Sequence, residues 1–216
     1  MIRKRDRNQL AARIAQDIPD GSYVNLGIGM PKLVGNYISA EREICVHSEN
    51  GVLGIGPAPL PGQEDFDLIN ASKDPVTLVP GGCFFHHADS FAMMRGGHID
   101  IGVLGAFQVS VHGDLANWHT NAPDAVPAVG GAMDLALGAK KVYVMMDHFT
   151  KGGVCKIVHD CSYPITGLRC VSRIYTDLAV IDVAVDGLYV REIVENLSLE
   201  ELQRISGVPM RLARET

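Results

Sequence analysis

Paired cysteines are missing from this chain. Cys45, Cys83, Cys155, Cys161 and Cys170 contain no C-x-x-C spacing, and an odd number of thiols closes no disulfide framework, so they read as reduced intracellular thiols. Basic charge is also short. The 19 Lys and Arg face 25 Asp and Glu, a formal net charge of −6, which excludes the positive surface that nucleic acid or an anionic membrane requires. A phosphorylated small molecule is compatible with that balance, because a few backbone N–H groups at a helix start hold phosphate without changing net charge. No apolar stretch reaches the length of a bilayer span. The basic start, Met1 to Arg7, runs into the amphipathic segment 9–15 rather than into the continuous apolar core of a secretory signal, and a cytoplasmic location is expected. A phosphate loop ending in Gly-Lys-Ser/Thr is absent, and Gly27-Ile28-Gly29 lacks the third glycine of a dinucleotide fingerprint.

What is present is apolar material. With 47% hydrophobic residues, the 216 residues carry enough to close one core, and no repeat or linker divides them, so a single domain over 1–216 is expected. Leu10, Ile14 and Ile18 recur at helical spacing until Pro19-Asp20-Gly21 stops them, and Tyr23-Val24-Asn25-Leu26 then alternates as a strand. Pro31 suits the first turn of a second helix running to Ile38. Short β-branched runs follow at Ile44–Val46, 76–79, 99–104, 142–146 and 178–183. Helical stretches at 88–94 and 133–139 separate several of them, and a last helix spans 199–205 behind a Ser198 cap. Strands alternating with helices predict an α/β fold, an open, mainly parallel sheet with helices on both faces.

Glu49 is the leading candidate for chemistry. It sits in His47-Ser48-Glu49-Asn50-Gly51, where the Ile44–Val46 run ends at Asn-Gly turn chemistry. That puts a carboxylate at the carboxyl end of a strand, where open α/β sheets bind ligands. A solvated turn residue is the plainer reading of the pentapeptide alone. The Gly- and Pro-rich segments 51–62 and 117–131 read as long functional loops expected on the Glu49 side. At the end of the second loop, Gly130-Gly131 precedes a helix, so its N–H groups either face a developing oxyanion or allow close packing on the sheet.

Other features divide in the same way. Cys83, His86, His87 and Asp89 suggest a metal, but adjacent histidines point apart and no second ligand pair accompanies them, so no metal is expected. Trp118 is either a lid or a packing anchor. Asp147-His148 ends a strand without a Ser or Cys to complete a triad. Lys140, Lys141 and Lys151 are candidates for holding phosphate groups only against a default of solvated surface lysines.

Taken together, Ser48-Glu49-Asn50-Gly51, Gly27 to Pro31, Val52 to Pro57, Asp67 to Ala71, Ser90 to His98, Gly113 to Trp118 and Gly130 to Leu135 resemble, in order, the B subunits of the 3-oxoacid coenzyme A-transferase family. Phe84 to Phe91, Asn117 to Thr120, Ser172 to Asp177 and Ser206 to Pro209 look closest to its 3-oxoadipate branch. The acetoacetate branch is the nearest rival, and a phosphosugar-binding or non-catalytic α/β domain the more distant one.

The resemblance implies the CoA-transferase fold, a catalytic Glu49 that carries CoA as a thioester, and Gly130 and Gly131 as oxyanion or CoA donors. It implies an A subunit of similar fold in an A2B2 heterotetramer, of which a chain ending near residue 216 would be one half. No permanently bound cofactor is implied; the coenzyme A thioester is a substrate. The residue types of His86, His87 and His119 suggest a pocket for the second carboxylate of a dicarboxylic acceptor.

Overall fold

The computed structural model describes residues 2–122, 124, 126–127 and 129–214. Its first element, helix α1 (Arg7–Asp17), begins at a reciprocal cap. The Asp6 carboxylate accepts from the Gln9 N–H at 2.8 Å, while the Gln9 side chain accepts from the Asp6 N–H at 2.9 Å. Leu10, Ala11, Ile14 and Ala15 form its buried stripe, as their spacing predicts. The second expected helix is a 3-10 helix, Met30–Tyr37, with its proline in the first turn.

Five strands form a parallel centre in the spatial order β10 (Val171–Tyr175), β8 (Lys141–Met145), β5 (Ile101–Leu104), β1 (Tyr23–Leu26), β2 (Cys45–Ser48). Side chains alternate between two cores. Val142, Val144 and Ile174 pack with Met94 of α2 (His87–Arg95), Leu135 of α3 (Ala132–Gly138) and Leu202 of α4 (Leu199–Ser206). Tyr143, Met145 and Tyr175 pack on the opposite face with Leu10, Ile14 and Val34. The sheet is therefore covered by helices on both sides, and its parallel strands are buried as such strands must be.

The wings depart from simple alternation. β3 (Val52–Ile55) and β4 (Leu78–Phe84) add antiparallel beyond β2, so the strand expected at 76–79 starts later and runs further. β11 (Ala179–Ala184) pairs antiparallel with β10, because three intervening residues are too few for the crossover that a parallel pair needs. β12 (Gly187–Ile193) and β13 (Met210–Leu212) complete that edge. A small separate sheet, β6 (Gln108–Ser110) between β7 (Leu115–Ala116) and β9 (Ile157–Val158), rises from the loops after β5 and β8. Its strands are too short for periodicity to reveal them.

A charged network fastens α1 to the sheet. Asp17 accepts from the Tyr175 hydroxyl at 2.7 Å and pairs with Arg13 at 2.6 Å and Arg173 at 2.8 Å. Burial alone would raise the Asp17 carboxyl, but the hydrogen bonds from Arg13 and Tyr175 and the charges of Arg13 and Arg173 hold it below its ordinary value. We predict that Asp17→Ala, which leaves the buried Tyr175 phenol without its acceptor and takes one of two carboxylate partners from each of Arg13 and Arg173, costs about 2 to 4 kcal/mol in urea unfolding. A loss indistinguishable from that of an exposed surface substitution would show the network to be dispensable.

Candidate functional site

β2 delivers Glu49 to the edge of the sheet, and the following turn is held from three sides. The Gly51 N–H donates to the Ser48 carbonyl at 3.0 Å, the Asn50 side-chain amide donates to the Ile69 carbonyl at 2.8 Å, and Ser48 Oγ accepts from the Ala71 N–H at 3.0 Å. Gly51 adopts φ +104°, and a Cβ there would lie 2.2 Å from the Phe85 carbonyl oxygen, so only glycine fits.

Beneath the turn runs a buried polar chain. Asn25 Nδ2 donates to His47 Nδ1 at 2.9 Å, which leaves the ring proton on Nε2 to donate to Ser90 Oγ at 2.9 Å. Burial pushes His47 down to about 4, so the ring is neutral and acts as a rigid spacer under Glu49.

Glu49 lines a cleft of about 440 Å³ whose floor is the carboxyl ends of the parallel strands: Leu26 of β1, Ser48 of β2, Leu104 of β5 and Met145 of β8. This is the crevice where open α/β sheets bind ligands. The Gly27-Ile28 turn forms one wall, and Val129, Gly130 and Gly131 form another.

The carboxylate is half-buried and lies against Gly131; a Cβ on that residue would stand 2.2 Å from Glu49 Oε2. Burial raises the Glu49 carboxyl above its ordinary value, the charge of His87 opposes the rise, Asp134 adds to it and the Gly131 amide opposes it. Gly130, at φ +48°, has open space where a Cβ would go.

The structure thus brings Glu49, Gly130 and Gly131 into one cleft. Of the three histidines, none of which lines the cleft, His87 acts on Glu49 through its charge and packs at a tilt on Phe91 with ring centroids 4.8 Å apart. His86 caps α2, its Nδ1 accepting from the Ala88 N–H at 3.1 Å, and His119 accepts from the Asn121 N–H at 3.1 Å.

Trp118 lies beside His119 with its indole N–H buried and unpartnered among the described residues, while its neighbour Asn117 lines the cleft. Pro123, Ala125 and Ala128 of the expected 117–131 loop lie outside the described residues. From the 51–62 segment no residue lines this cleft.

His148 is fully buried between the Thr176 and Ser206 hydroxyls and serves the fold. Lys140 pairs with Asp100 at 2.7 Å. Neither Lys141 nor Lys151 lines the cleft, but Lys156, which no motif or spacing singles out, does. Its one signal in the sequence is that of a lone lysine inside the apolar run Val154-Cys155-Lys156-Ile157-Val158. Among the described residues, converging metal-type ligand atoms occur at His112, His159 and Asp160, all exposed, and not at Cys83, His86, His87 and Asp89.

Comparison with known proteins decides the family. The family model described as coenzyme A transferase matches residues 7–204. The chain belongs to the coenzyme A transferase family. It is 64% identical over 210 residues to a protein of Pseudomonas putida named as the B subunit of a 3-oxoadipate CoA-transferase, covering 97% of this chain and 98% of that one. It is 48% identical over 197 residues to the B subunit of a succinyl-CoA:3-ketoacid coenzyme A transferase of Helicobacter pylori, covering 91% and 94%. Among solved structures, an acyl-CoA transferase from Escherichia coli O157:H7 superposes with a TM-score of 0.75 at 19% identity, over 96% of this chain and 42% of that one. This CoA-transferase chain therefore has the family's fold, including the parallel sheet whose edge carries Glu49.

The geometry of the transferase cleft leads to two predictions. Gly131 has an ordinary backbone conformation, φ −82°, so Gly131→Ala folds normally but drives its methyl into the Glu49 carboxylate. Turnover is expected to fall about 100-fold or more with little change in unfolding free energy, whereas Gly130→Ala chiefly costs about 1 kcal/mol of backbone strain. Equal turnover in the two variants would contradict the placement.

The second concerns acid. Because folding lowers the His47 value, the unfolded chain binds the extra proton first, and stability is lost as pH falls from the ordinary histidine range toward 4. The full loss is roughly 3 kcal/mol for a shift of that size. His148, also pushed down to about 4 by burial, acts in the same direction. His47→Gln should remove about one proton from the pH slope of unfolding, and an unchanged slope would show that His47 does not titrate with unfolding.

Proposed function

We propose that this chain is the B subunit of a 3-oxoadipate CoA-transferase, which moves CoA from succinyl-CoA to 3-oxoadipate through a thioester on Glu49. The observation that carries the chemistry is the half-buried Glu49 carboxylate, mounted on strand ends in an apolar-floored cleft and facing the Gly131 amide. The 64% identity to a chain of a 3-oxoadipate enzyme, against 48% to a chain of a 3-ketoacid enzyme, supports the acceptor; acetoacetate is the less favoured alternative. The relatives are named as B subunits, which supports an A subunit as partner, in an A2B2 heterotetramer. Coenzyme A enters as a substrate and not as a resident cofactor, and the expected setting is the cytoplasm.

In the mechanism, a Glu49 carboxylate oxygen attacks the succinyl-CoA carbonyl and expels CoA thiolate, forming a mixed anhydride. The thiolate attacks the Glu49 side-chain carbonyl, succinate leaves, and Glu49 holds CoA as a thioester. The acceptor carboxylate then runs the sequence backwards. One thioester replaces another, so neither ATP hydrolysis nor redox chemistry enters the balance.

Each attack places negative charge on a carbonyl oxygen, and a positioned amide such as that of Gly131 is worth about 3 kcal/mol to such an oxyanion. The raised Glu49 carboxyl is a stronger nucleophile once ionised, while the charge of His87 and the Gly131 amide keep it ionisable. Contacts to the distant nucleotide end of CoA contribute binding energy that can be used at the reacting carbonyl.

The test is covalent trapping on the complex with its A subunit. After succinyl-CoA and then borohydride, peptide mass mapping is expected to find the reduced side chain at Glu49. Glu49→Gln is expected to lower exchange by at least about 1,000-fold. An adduct on another residue, or kinetics that require both substrates bound together, would refute the mechanism.

A further inference from the structure

Lys156 is unlike the other lysines of this chain. Its ammonium-bearing side chain is half-buried and lines the same cleft as Glu49, among Leu104, Phe107 and Met145. Among the described residues its Nζ makes no hydrogen bond and no ion pair; Lys4, Lys32 and Lys140 are each matched with an aspartate, and the lysines that share its lack of a partner, Lys73, Lys141 and Lys151, are exposed to water.

The backbone of Lys156 is clamped on both sides. Its N–H donates to the His148 carbonyl at 3.0 Å, and its carbonyl accepts from the Val109 N–H at 2.9 Å where β9 meets β6. The small sheet therefore holds this side chain over the carboxyl ends of the large one.

A cation taken partly out of water without a partner is costly, and burial accordingly draws the Lys156 ammonium below its ordinary value against the charges of Asp147 and Asp177. Such a cost is recovered when an anion arrives, and the apolar lining strengthens the pair.

The geometry points to Lys156 as the binding residue for the free, non-reacting carboxylate of a dicarboxylic acyl group, with Glu49 attacking the other end. This rests on the proposed transfer between dicarboxylic acids: succinyl-CoA and 3-oxoadipate both carry such a group. A cation in the cleft would select them from acyl chains ending in a methyl group and would help to position the reacting carbonyl. His86 and His119, off the cleft, do not serve this purpose.

The experiment compares succinyl-CoA with butyryl-CoA, which has the same number of acyl carbons and a methyl where succinyl has its carboxylate. The second-order constant for forming the Glu49 thioester is measured for both donors on the complex with its A subunit. In Lys156→Met the preference for succinyl-CoA is expected to fall about 100-fold, and Lys156→Arg is expected to restore most of it. An unchanged preference, including the case where both donors fall together because Lys156 contacts the CoA they share, would overturn the proposal. Absence of any Glu49 adduct in the unmodified complex would instead refute the transfer reaction itself.

A second measurement needs no variant. Succinate, but not butyrate, is expected to protect Lys156 from acetic anhydride in the unmodified complex, read by peptide mass. Equal labelling with both acids would also overturn the proposal.

Discussion

The contact between the Glu49 carboxylate and Gly131 is the constraint on which the site depends. A carboxylate that is to attack a thioester must shed water and yet remain ionised, and those demands oppose each other. Here the strand ends and the cleft wall remove water, while one backbone amide and the charge of His87 favour the anion. The approach works only because residue 131 has no side chain, since any Cβ would occupy the space of Glu49 Oε2. The same logic governs the other end of the pentapeptide, where Gly51 must pass under the Phe85 carbonyl for the turn to close.

Rigidity below the site comes from polar groups that are fully spoken for. Asn25, His47 and Ser90 pass a directed series of hydrogen bonds from β1 through β2 to α2, so the two cleft-lining strands and the helix behind them cannot shift independently. A neutral imidazole suits this role because it donates at one nitrogen and accepts at the other. Protonation would turn both into donors and set the ring against the Asn25 amide. Far from the cleft, Asp17 performs the equivalent task with charges, tying α1 to β10 on the opposite face from α2 and α3.

Much of this is legible in the residues, for reasons that also explain what is not. The helices around Leu10 and Leu202 and the strands of the parallel centre carry strong periodicity because each buries one stripe or both faces in a large core. Glu49 is legible because an apolar run ending in Asn-Gly has few alternatives to a strand that stops at a turn. The antiparallel direction of β11 is not, since a run such as Ala179–Ala184 reads the same in either direction and only the brevity of Thr176–Leu178 decides it. The small sheet lies below the length at which periodicity speaks, and Lys156 goes unmarked along with the Val154–Val158 run that carries it. The chemistry of His86 suggests a ligand-binding role, but the helix that follows takes its ring nitrogen as a cap. Residue type alone cannot separate a ligand from a cap.

The two sheets then divide the work. The large one supplies a floor whose strand ends are fixed by parallel register, and it carries Glu49, the carboxylate proposed to react. The small one is built from the loops after β5 and β8, where length and sequence are free to change without disturbing the floor. A residue that distinguishes one acyl chain from another belongs on the second, because altering it leaves the alignment of Glu49 with Gly131 untouched. The position of Lys156 immediately before β9, its backbone hydrogen-bonded to both His148 and Val109 yet outside the large sheet, has that property. The proposed selection of the acid and the proposed transfer of the thioester are thereby mounted on separate pieces of structure that meet across the cleft.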